Sequence, residues 1–272
     1  MGQVYRNTEM TRRLEGSRTY ISGGASGIGR ACAERLAAAG SSIAIMDLPA
    51  SREASGETVD SLERRGSVAI SVDVDVTDPG QVSAGVARAT EAIGPPDFVI
   101  TAAGVATAPS HDHTVSLLET EAEHWSFVMD VNVSGSLNLI RETTSSMMDR
   151  SASGSVVTLS SVAALNPTRG VYSISKAAVW MMTRILAREL APCGIRVNSI
   201  APGLIDTPML PTTRGGEDLE TWATRQTARI PLGRLGSPFD VASAALFLVS
   251  EDSSYITGSM IRPDGGLTMG SA

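Results

Sequence analysis

The chain is poor in cysteine, in aromatic residues and in positive charge. Its two cysteines, Cys32 and Cys193, lie far apart in 272 residues and have no metal-ligand neighbours. This usage argues against a disulfide framework and predicts a protein of the reducing cytoplasm. The net charge of -7 argues against nucleic acid or an anionic membrane as the main partner. The sequence contains no run of about 18 apolar residues, so no membrane-spanning helix is predicted.

Small and aliphatic residues dominate instead. The chain has 26 glycines and is 42% hydrophobic, but only 4% of its residues are aromatic. We therefore expect a core of Ala, Val, Ile and Leu, in which helices pack closely on a sheet. Residues 1–16 are polar and lack the apolar centre of a signal peptide, which predicts a flexible N-terminal lead-in.

Short apolar runs alternate with helical patterns along most of the chain. The pattern predicts strands at 19–21, 42–46, 68–72, 97–101, 155–159 and 195–200, and helices at 28–39, 55–65, 121–148 and 171–190. Apolar runs of this kind are typical of a parallel sheet covered on both faces. The prediction is a single α/β domain over residues 17–272, a Rossmann-type, doubly wound parallel sheet of about seven strands. Residues 204–236 are rich in Pro, Thr, Gly and charge, and predict a substrate lid.

A glycine-rich turn joins the first predicted strand to the first predicted helix. Its glycines, Gly23, Gly27 and Gly29, have the spacing G-x-x-x-G-x-G. Such glycines let the backbone approach a pyrophosphate, which then lies on the N–H groups at the start of the helix. A turn of this composition can also be purely structural, so its context decides between the two interpretations.

Asp47 ends the second predicted strand and favours the nucleotide interpretation. A carboxylate there can accept hydrogen bonds from the hydroxyl groups of an adenosine ribose and repels a 2′-phosphate. Neither Ser26 nor Leu48 offers a cation for such a phosphate, so NAD is predicted and NADP is less favoured. Arg52 is the one nearby base that would reverse this preference.

Tyr172 and Lys176 lie four residues apart in a predicted helix, so their side chains share one face. An ammonium close to a phenol favours the phenolate and lowers the phenol's pKa. A tyrosine of that kind can exchange a proton with an alcohol or a ketone. The same spacing also occurs by chance in surface helices, so the pair needs support from the rest of the chain.

Further segments supply that support, and together with the turn and Asp47 they resemble the short-chain dehydrogenase/reductase family over residues 17–268. In chain order the matching segments are Ser22–Gly29 for the glycine turn, Asp75–Asp78 for D-V-T-D, Thr101–Gly104 for N-N-A-G, Asp130–Gly135, Leu159–Ala163, Val197–Gly203 with Thr207, and Asp264–Gly266. The resemblance implies NAD-dependent hydride transfer between a secondary alcohol and a ketone.

The resemblance also implies roles for individual residues. Tyr172 is then the acid/base, Lys176 holds the nicotinamide ribose and lowers the pKa of the tyrosine, and Asn132 holds a water that relays protons. Ser161 orients the substrate oxygen, and it is preferred to Ser160 because it directly precedes the small apolar run. The implied cofactor contacts are Gly23, Ser26, Gly27, Ile28, Gly29, Asp47, Leu48, Asp75, Val76, Ala103, Gly104, Tyr172, Lys176, Pro202, Gly203, Ile205 and Thr207.

The chain departs from the family pattern at Ser22, which replaces the threonine of the glycine turn, and in three further places. Thr101 and Ala102 replace both asparagines of N-N-A-G, so side-chain bonds from those asparagines to neighbouring strands are lost. Tyr172 follows Ser161 by eleven positions, where the family more often has about thirteen. The loop after Gly104 is longer than usual and contains His111 and His113, which lack a third ligand, so no metal site is predicted.

Two other functions remain open from the sequence alone: an NADP-dependent 3-oxoacyl-(acyl carrier protein) reductase, and a cofactor-binding regulator without catalysis. The pocket is predicted to be apolar, with Arg169 and Arg214 as candidate cations, and the substrate to be a medium-sized, apolar secondary alcohol or ketone. The helix at 171–190 is apolar around much of its circumference. With the resemblance, this predicts a homotetramer or homodimer.

Overall fold

The computed structural model describes residues 13–109, 116–150, 153–166, 170–210 and 219–269. Strands and helices alternate in it. The strands are β1 (Arg18–Ser22), β2 (Ser42–Asp47), β3 (Ala69–Asp73), β4 (Phe98–Thr101), β5 (Gly154–Leu159), β6 (Ile195–Ile200) and β7 (Met260–Ile261). The helices are α1 (Gly27–Ala38), α2 (Arg52–Glu63), α3 (Pro79–Ile93), α4 (Ala122–Met129), α5 (Gly135–Asp149), α6 (Gly170–Leu190), α7 (Leu219–Thr227) and α8 (Pro238–Val249).

The sheet has seven parallel strands in the order β3-β2-β1-β4-β5-β6-β7. The direction of winding reverses between β1 and β4, and a crevice opens there at the carboxyl ends of the strands. The predicted doubly wound fold is confirmed. The prediction missed α3, α7, α8 and the two-residue strand β7, although six strands and the other helices lie close to their predicted positions.

The core has two layers, one on each face of the sheet. Successive residues of β1 face opposite layers: Ile21 packs among α1 and α8 residues, while Tyr20 packs beside residues of α3 and α5. Both side chains are fully buried. This explains the continuous apolar strands, because every residue of a sheet covered on both faces is directed into a core.

The predicted single helix at 121–148 is interrupted. Residues Asp130–Ser134 form one π-helical turn between α4 and α5. A π turn accommodates one extra residue and rotates the helix that follows it. As a result, α4 packs against α6, whereas α5 packs against α3 and β4.

Two segments expected to be mobile are partly packed in the described residues. Leu14, within the predicted lead-in, is buried, and its N–H donates to the Ala39 carbonyl at 2.9 Å. In the predicted lid, Asp206 N–H donates to the Gly236 carbonyl at 2.8 Å, and Trp222 and Ile230 are buried. Residues 1–12 and 211–218 lie outside the described part of the chain.

Candidate active site

A cleft of about 1230 Å³ opens at the carboxyl ends of the strands, where the winding reverses. It brings together all seventeen residues predicted to contact the cofactor, from Gly23 in the first turn to Thr207 after β6. Three of the four predicted catalytic residues also line it: Ser161, Tyr172 and Lys176. Asn132 is fully buried and is not in the lining.

The glycine turn is packed so tightly that a side chain would not fit at two positions. Gly23 has φ +69°, and a Cβ there would lie 2.6 Å from the Ala103 nitrogen. A Cβ at Gly29 would lie 2.1 Å from the Gly23 carbonyl oxygen. The first turn of α1 therefore presents its backbone N–H groups to the cleft without intervening side chains, an arrangement that suits a pyrophosphate.

Asp47 lies at the end of β2 and is bonded to the glycine turn. One carboxylate oxygen accepts from the Ala25 N–H at 3.0 Å, and the other accepts from the Leu48 N–H at 2.9 Å. Each oxygen keeps a further lone pair for a ribose hydroxyl. Arg52, the base that would favour NADP, donates through two nitrogens to Asp73 at the end of β3.

The D-V-T-D segment follows β3 and is held by its own side chains. Asp75 accepts from both the N–H and the hydroxyl of Thr77, at 2.9 and 2.8 Å. The Asn138 amide nitrogen donates to the Val76 carbonyl at 2.9 Å. These bonds fix the backbone of Asp75 and Val76 at the edge of the cleft.

The segment Thr101–Gly104, which matches N-N-A-G, is held through its backbone. The Thr101 hydroxyl is buried and has no hydrogen-bond partner among the residues that the structure describes. The backbone is nevertheless held, because the Ala103 N–H donates to the Ser22 hydroxyl at 3.3 Å. The segment therefore keeps its position beside the turn without the asparagine side chains.

Tyr172 and Lys176 occupy successive turns of α6 and are both directed to the cleft. The Lys176 Nζ lies 5.7 Å from the centre of the Tyr172 ring and donates to the Leu159 carbonyl at 2.9 Å. Burial lowers the pKa of Lys176 from 10.5 to about 8, because a low-dielectric surrounding disfavours the ammonium. The end of β5 thus fixes the amine beside the phenol.

The two serines after β5 have different partners. The Ser160 hydroxyl donates to the Lys176 carbonyl at 2.8 Å and so joins β5 to α6. The Ser161 oxygen accepts from the Ala163 N–H at 3.1 Å, and no acceptor for its own proton is present among the described residues. Ser161 is therefore the better placed of the two to donate to a substrate oxygen.

Asn132 lies in the π turn, behind Tyr172. Its amide oxygen accepts from the Val105 N–H at 2.8 Å, and its amide nitrogen donates to the Val105 carbonyl and to the Ser175 hydroxyl, both at 2.9 Å. Ser175 in turn donates to the Tyr172 carbonyl at 2.8 Å. Asn132 therefore positions the loop after β4 against α6, a contact that the sequence could not indicate because it depends on Ser175.

The segment after β6 closes the other side of the cleft. Gly203 lies so close to the D-G-G motif that a Cβ there would approach the Asp264 Cα to 2.7 Å. Asp264 accepts from the N–H groups of Gly266 and Thr268 and from the Thr268 hydroxyl. Burial opposes the charge of Asp264, but these hydrogen bonds outweigh it, so its pKa is lowered. The closing motif thus holds the backbone of Pro202 and Gly203.

Sequence reasoning missed three residues that line the cleft from α7 and the turn after it: Trp222, Gln226 and Arg229. Nothing in a single sequence shows which residues of a polar, irregular segment turn inward. The candidate cations Arg169 and Arg214 and the histidines His111 and His113 lie outside the described residues.

Other site classes receive no support from the described residues. Within these ranges, no group of three or more His, Cys, Asp or Glu side chains is arranged to hold a metal ion. None of the described helices has the length and apolarity needed to cross a membrane.

Comparison with known proteins gives consistent matches over nearly the whole chain. The family described as enoyl-(acyl carrier protein) reductase matches residues 23–268. The 3-oxoacyl-(acyl-carrier-protein) reductase FabG of Thermotoga maritima is 38% identical over 266 residues, covering 94% of this chain and all of that protein. The galactitol 2-dehydrogenase of Cereibacter sphaeroides is 37% identical, covering 94% of this chain and 97% of its own length.

A solved structure agrees with these sequence matches. A short-chain dehydrogenase/reductase from Mycobacterium marinum superposes with a TM-score of 0.86 at 31% identity, covering 96% of this chain and 99% of its own. The relatives are dehydrogenases and reductases that act on CH–OH groups or the corresponding ketones. The chain therefore belongs to the short-chain dehydrogenase/reductase family and is an oxidoreductase that uses a nicotinamide cofactor.

Proposed function

We propose that this enzyme interconverts a secondary alcohol and a ketone with NAD as cofactor and Tyr172 as the acid/base. The observation that carries the proposal is the convergence of Ser161, Tyr172 and Lys176 on the cleft that the glycine turn and Asp47 also line. A proton-transfer group, its activating cation and a nucleotide site together suit hydride transfer to or from a carbonyl carbon.

In this proposal each polar residue has one task. Tyr172 gives a proton to the ketone oxygen or takes one from the alcohol. Lys176, held by the Leu159 carbonyl, keeps its charge next to the phenol and favours the phenolate. Ser161 donates its free hydroxyl proton to the substrate oxygen and orients it.

Asn132 is assigned as a positioning residue of the proposed proton relay. Both N–H donors of its side chain are used by Val105 and Ser175 and its oxygen accepts from Val105, so its contribution comes through the shape of the loop and of α6. The Asn132 carbonyl already accepts from the Ser136 hydroxyl at 2.8 Å. A relay water bonded to that carbonyl would have to share it with Ser136.

The residues around the cleft fit a dinucleotide. The missing side chains at Gly23 and Gly29 leave the backbone open to a pyrophosphate, and Asp47 can accept from a ribose diol. Bound nicotinamide would supply the hydride acceptor or donor, which no amino acid side chain offers. Lys176 would hold the nicotinamide ribose, and Ile205 and Thr207 would hold its carboxamide.

NAD is preferred to NADP in this proposal because of charge. Asp47 would accept from the ribose 2′-hydroxyl, and a phosphate in its place would meet a carboxylate. Arg52, which could have neutralised it, donates to Asp73 instead. The rival is an NADP-dependent 3-oxoacyl reductase, favoured by the 38% identity to the Thermotoga maritima enzyme of that name.

A pair of variants tests the chemistry and the cofactor separately. Tyr172→Phe should lower kcat by about a hundredfold to ten-thousandfold, the usual contribution of a general acid or base, with NADH binding retained. Asp47→Asn keeps an oxygen for the Ala25 N–H but removes the charge. It should shift the ratio of kcat/KM for NADH over NADPH by about tenfold towards NADPH.

The assay is NADH fluorescence over a panel of sugars, aliphatic and aryl alcohols, steroids and 3-oxoacyl thioesters. Near-normal turnover by Tyr172→Phe would refute the acid/base assignment. Faster turnover with NADPH than with NADH in the unmodified enzyme would favour the rival reductase. Tight NADH binding without turnover of any alcohol or ketone would favour a regulator.

We propose a homotetramer, or a homodimer, with α6 in one interface. Met181 and Ile185 on α6 are about half exposed, and Trp125 and Phe127 on α4 are more than a third exposed. Covering such apolar surface is favourable in water. Elution as a monomer in size-exclusion chromatography with light scattering would refute the oligomer.

We also propose that residues 17–272 form one catalytic domain in the cytoplasm, with residues 204–236 as its substrate lid.

A further inference from the structure

The wall of the cleft formed by α7 and the turn after it carries hydrogen-bond donors that the proposed chemistry does not use. Trp222, Gln226 and Arg229, which we call the α7 patch, all line the cleft that contains Tyr172. Their spacing of four and then three residues places them on one face of a helical segment. The Arg229 N–H donates to the Gln226 carbonyl at 3.0 Å, so the helical course continues to that point.

Trp222 has a buried donor without a partner. The residue is 2% exposed, and its Nε1–H has no hydrogen-bond partner among the residues that the structure describes. A buried N–H without an acceptor is destabilising, and most such groups in folded proteins are paired. The nitrogen is closed to water-sized groups in this structure, so a ligand oxygen in the cleft would supply the missing acceptor after a small shift of the side chain.

Arg229 is a cation at the same wall. Its guanidinium lies 3.4 Å from the Gln226 side-chain oxygen and forms no ion pair within the described ranges. With its oxygen turned to Arg229, Gln226 is left with its amide nitrogen as a donor. The acidic residues of the cleft come from other elements: Asp47 ends β2, Asp75 follows β3 and Asp130 follows α4.

We propose that the substrate carries a carboxylate remote from its reacting carbon, and that the α7 patch receives it. All three side chains offer N–H donors, and a guanidinium binds a carboxylate with two parallel bonds. One cation balances one carboxylate charge, whereas a phosphate would leave a second charge uncompensated. Met209, Leu210 and Leu267 line the same cleft and suit an apolar body between the carboxylate and the ketone.

This inference rests on the proposed dehydrogenase function and narrows its substrate to oxo acids or hydroxy acids. The test uses three probes of one shape: 4-acetylbenzoate, its methyl ester and its primary amide. A second set is levulinate with its methyl ester and amide. Binding to the full-length enzyme at saturating NADH is measured by calorimetry, and kcat/KM is measured for each probe that is reduced.

The unmodified enzyme should bind at least one of the carboxylates about tenfold more tightly than its ester and amide, the factor expected for a charge-assisted hydrogen bond. Arg229→Gln should remove this preference and leave ester binding unchanged. Trp222→Phe should weaken carboxylate binding by about threefold to tenfold, since it removes a single neutral donor. The matched control is Arg225→Gln, on the same helix but outside the lining, which should keep the preference.

Three results would overturn the inference: esters or amides binding as tightly as both carboxylates, a preference that survives Arg229→Gln, or no binding of either carboxylate. Circular dichroism of each variant separates loss of fold from loss of binding, and exposed Arg229 is the variant least expected to unfold. Reduction of the neutral ketones without a preference for the carboxylates would support the proposed dehydrogenase function and contradict the carboxylate site at the α7 patch. Tight binding of a carboxylate without its reduction would support the carboxylate site and argue against the proposed dehydrogenase function.

Discussion

The buried amine of Lys176 should make the stability of the cofactor-free protein depend on pH in a defined window. Its pKa is 10.5 when exposed to water and falls to about 8 in the folded protein because of burial. Between these two values the unfolded chain binds a proton that the folded chain does not. Stability then rises with pH, by 2.303RT per pH unit for one proton.

The magnitude follows from the width of the window. A window from about 8 to 10.5 at about 1.4 kcal/mol per unit gives about 3 kcal/mol in the free energy of unfolding. This contribution is fully present above pH 10.5 and is lost as the pH falls through 8. Lys176→Met keeps a similar volume and removes the titration.

The measurement is urea unfolding of the cofactor-free protein and of Lys176→Met at several pH values from 7 to 10.5. The difference between the two free energies isolates Lys176, because all other titrating groups are common to both proteins. As the pH rises across this range, the free energy of unfolding of the unmodified protein should increase by about 2 to 3 kcal/mol relative to that of the variant. Curves that stay parallel within about 0.5 kcal/mol, the usual error of additivity, would refute a buried amine with a lowered pKa.

Variants at three further positions test the packing around the site. Gly23→Ala should destabilise the protein by about 2–4 kcal/mol and abolish NADH binding, because a Cβ would meet the Ala103 nitrogen at 2.6 Å and φ is +69°; unchanged thermal unfolding would contradict this. Thr101→Val should raise the free energy of unfolding by about 1 kcal/mol, since it removes a buried hydroxyl without a partner, and a loss of stability would show that the hydroxyl is hydrated. Ser175→Ala should loosen Asn132 and so affect kcat more than KM, and Ser175→Thr, which keeps the hydroxyl, should restore part of kcat. Equal effects of both variants on KM alone would argue against a positioning role.

The class of fold was predictable because strands that are covered on both faces appear in the sequence as continuous apolar runs. Apolar strands such as Ser42–Asp47 are buried on both faces, and their length and spacing identify a parallel sheet. The missed helix Pro79–Ile93 had clear start signals, a capping Asp78 that accepts from two N–H groups and a proline at its first position. Those signals make this helix predictable from the sequence, whereas the strand Met260–Ile261 is too short to be recognised by any periodic pattern.

The candidate site was predictable where a motif fixes the backbone and not where side chains meet across the fold. All the cofactor contacts named from the glycine turn to Thr207 line the cleft, because short motifs follow directly on strand ends. The π turn that places Asn132 leaves no signal in residues such as Val131 and Val133, and its effect, the packing of α4 and α5 against different neighbours, is visible only in the fold. The α7 patch was missed for the same reason.

The hydrogen bond from the Ala25 N–H to Asp47 couples the preference between NAD and NADP to the conformation of the glycine turn. An enzyme engineer would want to change the first without the second. Replacing Asp47 by Lys or Arg, the direct way to attract NADP, would leave the Ala25 N–H without its acceptor and disturb the turn that must hold the pyrophosphate. The side chains at positions 26 and 48 do not hold the turn in this way, because Ser26 makes no side-chain capping bond and Leu48 bonds to Asp47 only through its backbone N–H. A change of cofactor is therefore more accessible to evolution through a cation at Ser26 or Leu48, with Asp47 replaced only afterwards by a residue that still accepts from Ala25.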